Sequence, residues 1–368
     1  MVIELDDFEA IKRQYDFNKT EPEVIIDLVE DANKKGGKIR DRNARIKERA
    51  TEILEILSEN NVIVFNENDV EGKNYAECKS IGIDGSFFPI GGVGGEWYVP
   101  YAIVRILFNH GINNAPVVDV YAAGIEEIKE QEHLNVNGEA SHRMLIGETK
   151  ALEDWGKNYT KSLIFIDGPI VDPPSYNNFE YINYRCEAIK KCLEKSKIIG
   201  CVKRSRDIFF IKKFERMLGM DGIINNDFPS DQHLFSYFFT HYRFKNNYNG
   251  FLFSNALDIS DYGTNKFYKQ NGVYVCAIFF QKSIDSKILR LDIPFLYEDM
   301  IKIDKIAAAA AKAASDWQYP HQYIPLPVEL AHEKCKIREG AAETIYDEIL
   351  TRSRSGSPEN IMTMLQLR

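Results

Sequence analysis

The apolar positions change period along the chain. Over the first 60 residues they recur at helical spacing, as Phe8, Ile11 and Tyr15, then Val24, Ile25, Leu28 and Val29, then Ile46, Ala50, Ile53, Leu54, Ile56 and Leu57, and helices are predicted there. From about Lys79 the runs shorten. Ser80 to Phe88 reads as a strand ending in a Gly-Ser turn, Trp97 to Phe108 as a second strand, and Ala115 to Ala122 as a third. Together they predict an antiparallel meander. A helix is expected from about Ser141 to Asp154. Ser162 to Gly168 is a short, wholly apolar strand of the buried parallel type. A helix near Asn178–Glu194, a strand at Ile198–Lys203 and a helix at Asp207–Leu218 complete the central part.

Beyond it, residues 221–270 are aromatic and polar with few periodic cues, and read as an insertion or lid. Strands return at Gly272–Phe280 and Lys287–Pro294. The run Ile303–Ala314, with seven alanines among its last eight residues, is a helix by propensity. A further helix starts near Pro327, and Arg352–Pro358 reads as a linker before a short final helix. No internal repeat is visible. Three antiparallel strands followed by helix, strand, helix, strand is the order of a ribonuclease H-like α/β fold, a mixed sheet flanked by helices, here with an α-helical N-terminal extension. The expected division is a helical region at 1–77, a catalytic domain at 78–345 and a linker with a short helix at 346–368.

Composition narrows the class. With 44% hydrophobic and 27% charged residues in 368, the chain is ordinary globular protein, neither disordered nor fibrous. No window is apolar enough for a membrane helix, since even Trp97–Phe108 contains Arg105. The acidic start lacks the basic and apolar regions of a signal peptide, so a cytoplasmic location is expected. The six cysteines show no CxxC spacing, which argues against structural zinc. Lys and Arg number 46 against 55 Asp and Glu, a formal net charge of −9. A protein that coats nucleic acid by bulk charge is thereby disfavoured. The charge is unevenly spread, however. Residues 1–31 hold ten acids and three bases, 34–48 hold seven bases and two acids, and 185–216 hold eleven bases and four acids.

Two apolar strands end in Asp-Gly, at Ile83-Asp84-Gly85-Ser86 and at Phe165-Ile166-Asp167-Gly168-Pro169. An Asp-Gly pair is common in turns. In one sheet, though, adjacent strands ending this way bring two carboxylates together, and such a pair calls for a bridging cation, Mg²⁺ or Mn²⁺. Glu148 adds a third acid: it shares a helical stripe with Met144, Ala151, Leu152 and Trp155, whereas Glu153 falls on the polar side. Glu148 reads as a third ligand or as a glutamate at the rim of the stripe. Three such acids suit two-metal phosphodiester hydrolysis. Lys203-Arg204-Ser205-Arg206 follows another strand end and reads as a phosphate-contacting rim or as a solvated face. Of two histidines near the C-terminus, His321 lies in a Pro-rich loop and His332 on a helix, and the neighbouring constellation favours His332. Gly91–Gly95 matches no nucleotide-binding loop and reads as a hairpin turn.

In order along the chain, the Asp84 and Asp167 segments, Val202-Lys203-Arg204-Ser205, Leu289-Arg290-Leu291-Asp292-Ile293-Pro294 and the closing Pro325–His332 segment resemble the NurA nucleases. The resemblance spans about residues 78–340. It implies a ribonuclease H-like DNA nuclease dependent on Mn²⁺ or Mg²⁺, working as a homodimer on a HerA-type hexameric ATPase in DNA end processing or antiphage defence. By matched position it implies that Asp84, Glu148 and Asp167 are metal ligands, with His332 a further ligand or catalytic group. A family tyrosine is assigned to Tyr237. Asp292 departs from the glutamate frequent in the Arg-x-Glu-x-Pro segment. Two alternatives stay open from the sequence: a catalytically weak ring adaptor that threads DNA, and an enzyme acting on RNA or hybrids. The helical N-terminus is the candidate contact for a motor or a second copy.

Overall fold

The computed structural model describes residues 22–59, 64–70, 72–91, 96–129, 135–158, 161–172, 178–219, 224 and 227–352. Phe8, Ile11 and Tyr15, the core of the glycine run (92–95) and the tail after 352 lie outside them. The chain divides into two units, Met1–Ile56 and Leu57–Arg368.

Among the described residues a long helix, α1 (Pro22–Glu59), carries the helical periodicity read from Val24 to Leu57. Its polar face carries exposed ion pairs one turn apart, Lys34–Glu30 at 3.8 Å and Lys35–Asp31 at 2.6 Å. Such pairs add only about 0.3–0.5 kcal/mol each. For these residues the charge segregation is that of a solvated helix.

The second unit is built on one mixed sheet. Its strands are β1 (Val64–Asn66), β2 (Ser80–Phe87), β3 (Ile90–Gly91), β4 (Glu96–Phe108), β5 (Val117–Lys129), β6 (Leu163–Asp167), β7 (Lys197–Val202), β8 (Leu252–Ser254), β9 (Leu257–Asp258), β10 (Tyr274–Gln281) and β11 (Leu289–Phe295). The central order is β5-β4-β2-β6-β7, with β2, β6 and β7 parallel and β4 and β5 antiparallel. The meander thus sits on one side of β2 and the helix-linked strands on the other, which is the ribonuclease H-like arrangement read from the sequence. β11 pairs antiparallel with β7, and β10, β8 and β1 extend the sheet beyond it.

Helices cover both faces, which is why β6 is buried along nearly its whole length. One face carries α2 (Val136–Asn158), on β2 and β4, and α3 (Phe179–Leu193), which packs on α2 and β7. On the other lie α7 (Ile303–Asp316) and α8 (Leu326–Cys335). Ala307, Ala310, Ala311, Ala313 and Ala314 of α7 are all buried in the main core, with Phe165, Ile278, Leu291 and Trp317. The alanine run therefore packs on the sheet, its short side chains allowing close approach. A helix the periodicity does not pick out, α9 (Glu339–Arg352), follows α8.

The segment 221–270 is not a lid. Within it α5 (Asp231–Asn246) buries Leu234, Phe235, Phe238 and Phe239, and Phe235 stacks on Phe279 of β10 at 4.7 Å. Phe210 of α4 (Phe209–Leu218) closes the same cluster. β8, β9 and α6 (Asn265–Gln270) come from this segment too. Phe228, Phe235, Phe238, Phe239, Phe251 and Phe253 of this segment are core while Phe244 is exposed, and the Ser, His and Tyr residues interleaved with them hide the pattern in the sequence.

Candidate metal centre

Asp84 does not end its strand, as the Asp-Gly reading expected. β2 runs on to Phe87 because β4 continues to pair with it, through Phe87 and Tyr101. The shorter neighbour β6 stops at Asp167. Since Ile83 pairs with Ile166 in parallel register, Asp84 and Asp167 come to lie side by side. Alternation along β2 puts Ser80, Gly82 and Asp84 on one face and Ile81, Ile83 and Gly85 on the other.

α8 crosses the Asp84 face at very close range. A Cβ on Gly82 would lie 2.1 Å from the carbonyl oxygen of Pro327, a contact that only glycine avoids. The far end of α8 is fastened by Ser86, whose hydroxyl donates to the Cys335 carbonyl and accepts from the Ile337 amide at 3.2 Å. Held in this way, α8 brings His332 Nδ1 to 2.8 Å from Asp84 Oδ2 and 3.3 Å from Asp167 Oδ2. One ligand atom from each of the three residues lies within 4.8 Å of the others. His321, the competing histidine, is exposed in a turn.

The electrostatics are those of a site short of positive charge. Burial raises the pKa of Asp167 above the usual carboxylate range, and the nearby Asp84 adds to the rise. Lys203 opposes both, its Nζ lying 2.6 Å from Asp167 Oδ2. The hydrogen bond to Asp84 raises the pKa of His332. Cys335 also donates its thiol to Asp84 Oδ2, at 3.5 Å. Two carboxylates and an imidazole converging at this range form a donor set suited to a small divalent cation.

Glu148 takes a different place from the three. It is 4% exposed, so it is not a rim residue. It comes from α2, where its Oε1 would be 2.9 Å from a Cβ at Gly85; the glycine makes room for the carboxylate. Burial and then the charge of Asp84 push its pKa well above the ordinary range. It is outside the 4.8 Å cluster. Behind it lies a buried network the sequence reading missed. Arg185, 1% exposed, is 3.4 Å from Asp172 and donates to the Thr149 hydroxyl at 3.0 Å. The hydroxyls of Tyr181 and Tyr268 donate to the same Asp172 oxygen, at 2.6 and 3.2 Å. A signal was present: Arg185 falls in the apolar stripe of α3 with Tyr181, Ile182 and Ile189, the pattern that drew attention to Glu148.

The basic residues separate. Lys203 faces Asp167, while Arg204 and Arg206 are exposed on the loop that follows β7. Arg290 supports that loop. It stands two residues from Asp292 on β11, hence on the same face, and forms a fork to Asp292 at 2.8 and 3.0 Å. It also donates to the Ser205 hydroxyl at 3.2 Å and to Asp207. The Arg-x-Asp-x-Pro segment is therefore an internal ion pair, and Asp292 serves it. Tyr237 is half-buried on α5 with its ring against His233 at 5.3 Å and Phe228 at 5.9 Å, rather than against the carboxylates.

The NurA domain family matches residues 36–337 of this chain. No curated protein matches it. The crystal structure of the NurA nuclease from Sulfolobus solfataricus superposes with a TM-score of 0.56 at 15% identity, covering 92% of this chain and 100% of that one. A second NurA crystal structure has a TM-score of 0.46 at 13% identity, with 84% and 97% covered. Endonuclease V of Ciona intestinalis, in complex with inosine-containing DNA, gives 0.33 at 14%, with 84% and 99% covered. The family match runs through every strand and helix that carries Asp84, Glu148, Asp167, Lys203 and His332, and the chain belongs to the NurA domain family.

Proposed function

We propose that the protein is a nuclease that hydrolyses DNA phosphodiester bonds with Mn²⁺ or Mg²⁺ held by Asp84, Asp167 and His332. One observation carries this reading: in a NurA-family chain, ligand atoms of these three residues converge within 4.8 Å, with a single lysine against them. A bound divalent cation supplies Lewis-acid stabilisation of the charge that develops on the phosphate. The chain's own groups do the rest. Asp84 and Asp167 present anionic oxygens, and α8 fixes the His332 ring between them. Lys203 favours the ionised form of Asp167. Glu148, whose burial favours the protonated acid, is suited to hold a proton beside Asp84. In the net reaction a water oxygen attacks phosphorus, the bond to the leaving sugar oxygen breaks, and one water proton ends on that oxygen.

The finer reading follows the resemblance. The enzyme works as a homodimer with a HerA-type hexameric ATPase, in DNA end processing or antiphage defence. Region 1–77 makes the partner or dimer contacts, 78–345 is the nuclease domain and 346–368 is a linker with a short helix. Filled acid positions favour a working enzyme over a weak adaptor. The test is degradation of single- and double-stranded DNA by the purified protein with Mn²⁺, with and without the ATPase. Asp84→Asn or Asp167→Asn is expected to abolish cleavage while the circular dichroism spectrum is retained. Undiminished cleavage by either variant would refute the assignment. Deleting residues 1–33 should impair assembly, and a deletion that still assembles would remove the N-terminal helices from the interface.

A further inference from the structure

An open groove of about 470 Å³ lies between α5 and the turn that joins β10 to β11, with Tyr323 in its lining. It lies at the end of the sheet where Asp167 sits, because β11 begins opposite the end of β7, Arg290 pairing with Val202. The link to the centre is direct. Lys203, whose ammonium lies against Asp167, offers its backbone carbonyl to the Tyr323 hydroxyl and to Gln232 Nε2. Gln232 also donates to the Ile288 carbonyl at 2.7 Å and accepts from the Ser205 amide at 2.9 Å, tying the two groove walls to the loop carrying Lys203.

The lining has a consistent chemistry. Gln232, Ser236 and Thr240 form one stripe of α5, four residues apart. The hydroxyls of Ser236 and Thr240 donate back to the helix carbonyls of His233 and Ser236, each at 2.7 Å, which leaves their oxygens to accept. On the other wall Lys287 stands with its ammonium 5.2 Å from the centre of the Tyr323 ring. Among the described residues no Asp or Glu lines this groove, although acids outnumber bases in the chain and three acids lie close by. A cation, an aromatic ring and hydroxyl acceptors in an acid-free groove match a phosphate, a base face and base amino groups. Nucleic-acid strands without sequence preference are held by such combinations.

We infer that this groove is the subsite for a short single-stranded stretch of the DNA substrate next to the scissile phosphate, with Lys287 on a backbone phosphate and Tyr323 under a base. The inference rests on the nuclease reading, and the test separates the two. Binding is measured by fluorescence anisotropy with a labelled oligothymidylate on the full chain carrying Asp84→Asn, and on the same chain with Lys287→Glu or Thr240→Trp added. Lys287→Glu is expected to weaken binding about tenfold and to lower the salt slope by about one. Thr240→Trp, which fills the groove, should weaken binding with the slope unchanged. With Asp84 restored, both variants should raise KM for the oligonucleotide and leave the rate on bis(p-nitrophenyl) phosphate as it was, since that small diester needs only the metal centre. Unaltered affinity and KM in both variants would overturn the subsite. A wild-type protein that cleaves neither substrate refutes the nuclease reading instead, and the anisotropy still decides the groove.

Discussion

At the scale of single residues, Lys203 changes its meaning most. Its position after a strand suggested a phosphate contact, yet its ammonium lies 2.6 Å from Asp167. Its first effect is on protonation. Lys203 opposes the rise that burial and Asp84 impose on Asp167. Removing it therefore raises the Asp167 pKa further, and more alkaline solution is needed to ionise that ligand. For Lys203→Ala the acid limb of the pH–rate profile should move upward, with activity recovering at higher pH, and Lys203→Arg should return it toward the wild type. A loss of DNA affinity with an unshifted profile would return Lys203 to a phosphate role. Protonation also couples to metal binding. Glu148, Asp167 and His332 all have raised pKa values, so each keeps its proton to higher pH than usual and a cation competes with those protons. The thermal stabilisation by Mn²⁺ should accordingly be larger at about pH 8 than at about pH 6. Equal shifts at both would mean that the cation binds elsewhere.

At the scale of elements, two contacts hold the site in place. The first is the crossing of α8 over β2 at Gly82. A Gly82→Ala side chain would meet the Pro327 backbone, so α8 must lift and carry His332 away from Asp84. The variant should lose activity and Mn²⁺-dependent stabilisation together, with retained stabilisation showing that α8 had not moved. The second is the junction of α4 and α5. The residue before α4, Ile208, offers no side-chain cap. Asp231, one residue into α5, supplies it from outside, accepting from the Phe210 amide at 3.0 Å and the Ile211 amide at 2.8 Å. Burial pushes the Asp231 carboxyl up to about 7. Because this folded-state value lies above the ordinary one, its contribution to stability is full below the ordinary carboxylate range and lost as the pH rises through about 7. Asp231→Asn keeps an acceptor and cannot ionise. Its stability relative to the wild type should improve between about pH 5 and pH 8, as read from urea midpoints, and a constant difference would remove Asp231 from the pH dependence.

For the molecule as a whole, the net charge of −9 resolves into regions with separate work. Buried acids at one end of the sheet form the candidate cation centre. Exposed Arg204 and Arg206 lie on the loop after β7, and among the described residues no acid lines the groove under Tyr323. Total charge would hold DNA weakly, and the proposed enzyme grips its substrate through local groups instead. Among the described residues no helix is long and apolar enough to cross a membrane. The central fold was readable in advance because β2, β4, β5, β6 and β7 follow in chain order with clear periods, and connection rules leave few arrangements for them. The segment 221–270 was unreadable for the opposite reason. Phe235 stacks on Phe279 of β10, some forty residues later in the chain, and no local period records such a contact.

From its sequence alone this protein has the order of its central strands and helices, its family, and the residue types of its centre, since all three are carried by short segments and their succession. Tertiary structure decided the geometry that those residues share. The parallel register of β2 and β6, with Ile83 opposite Ile166, puts Asp84 beside Asp167, although neither segment encodes that register. Gly82 reads in sequence as one more strand glycine, and only the approach of α8 from nearly 250 positions away reveals its purpose. Lys203 became a partner of Asp167, and Glu148 moved behind Gly85, because side-chain charge and burial are set by whatever the fold brings near. Distance along the chain gives no measure of that proximity.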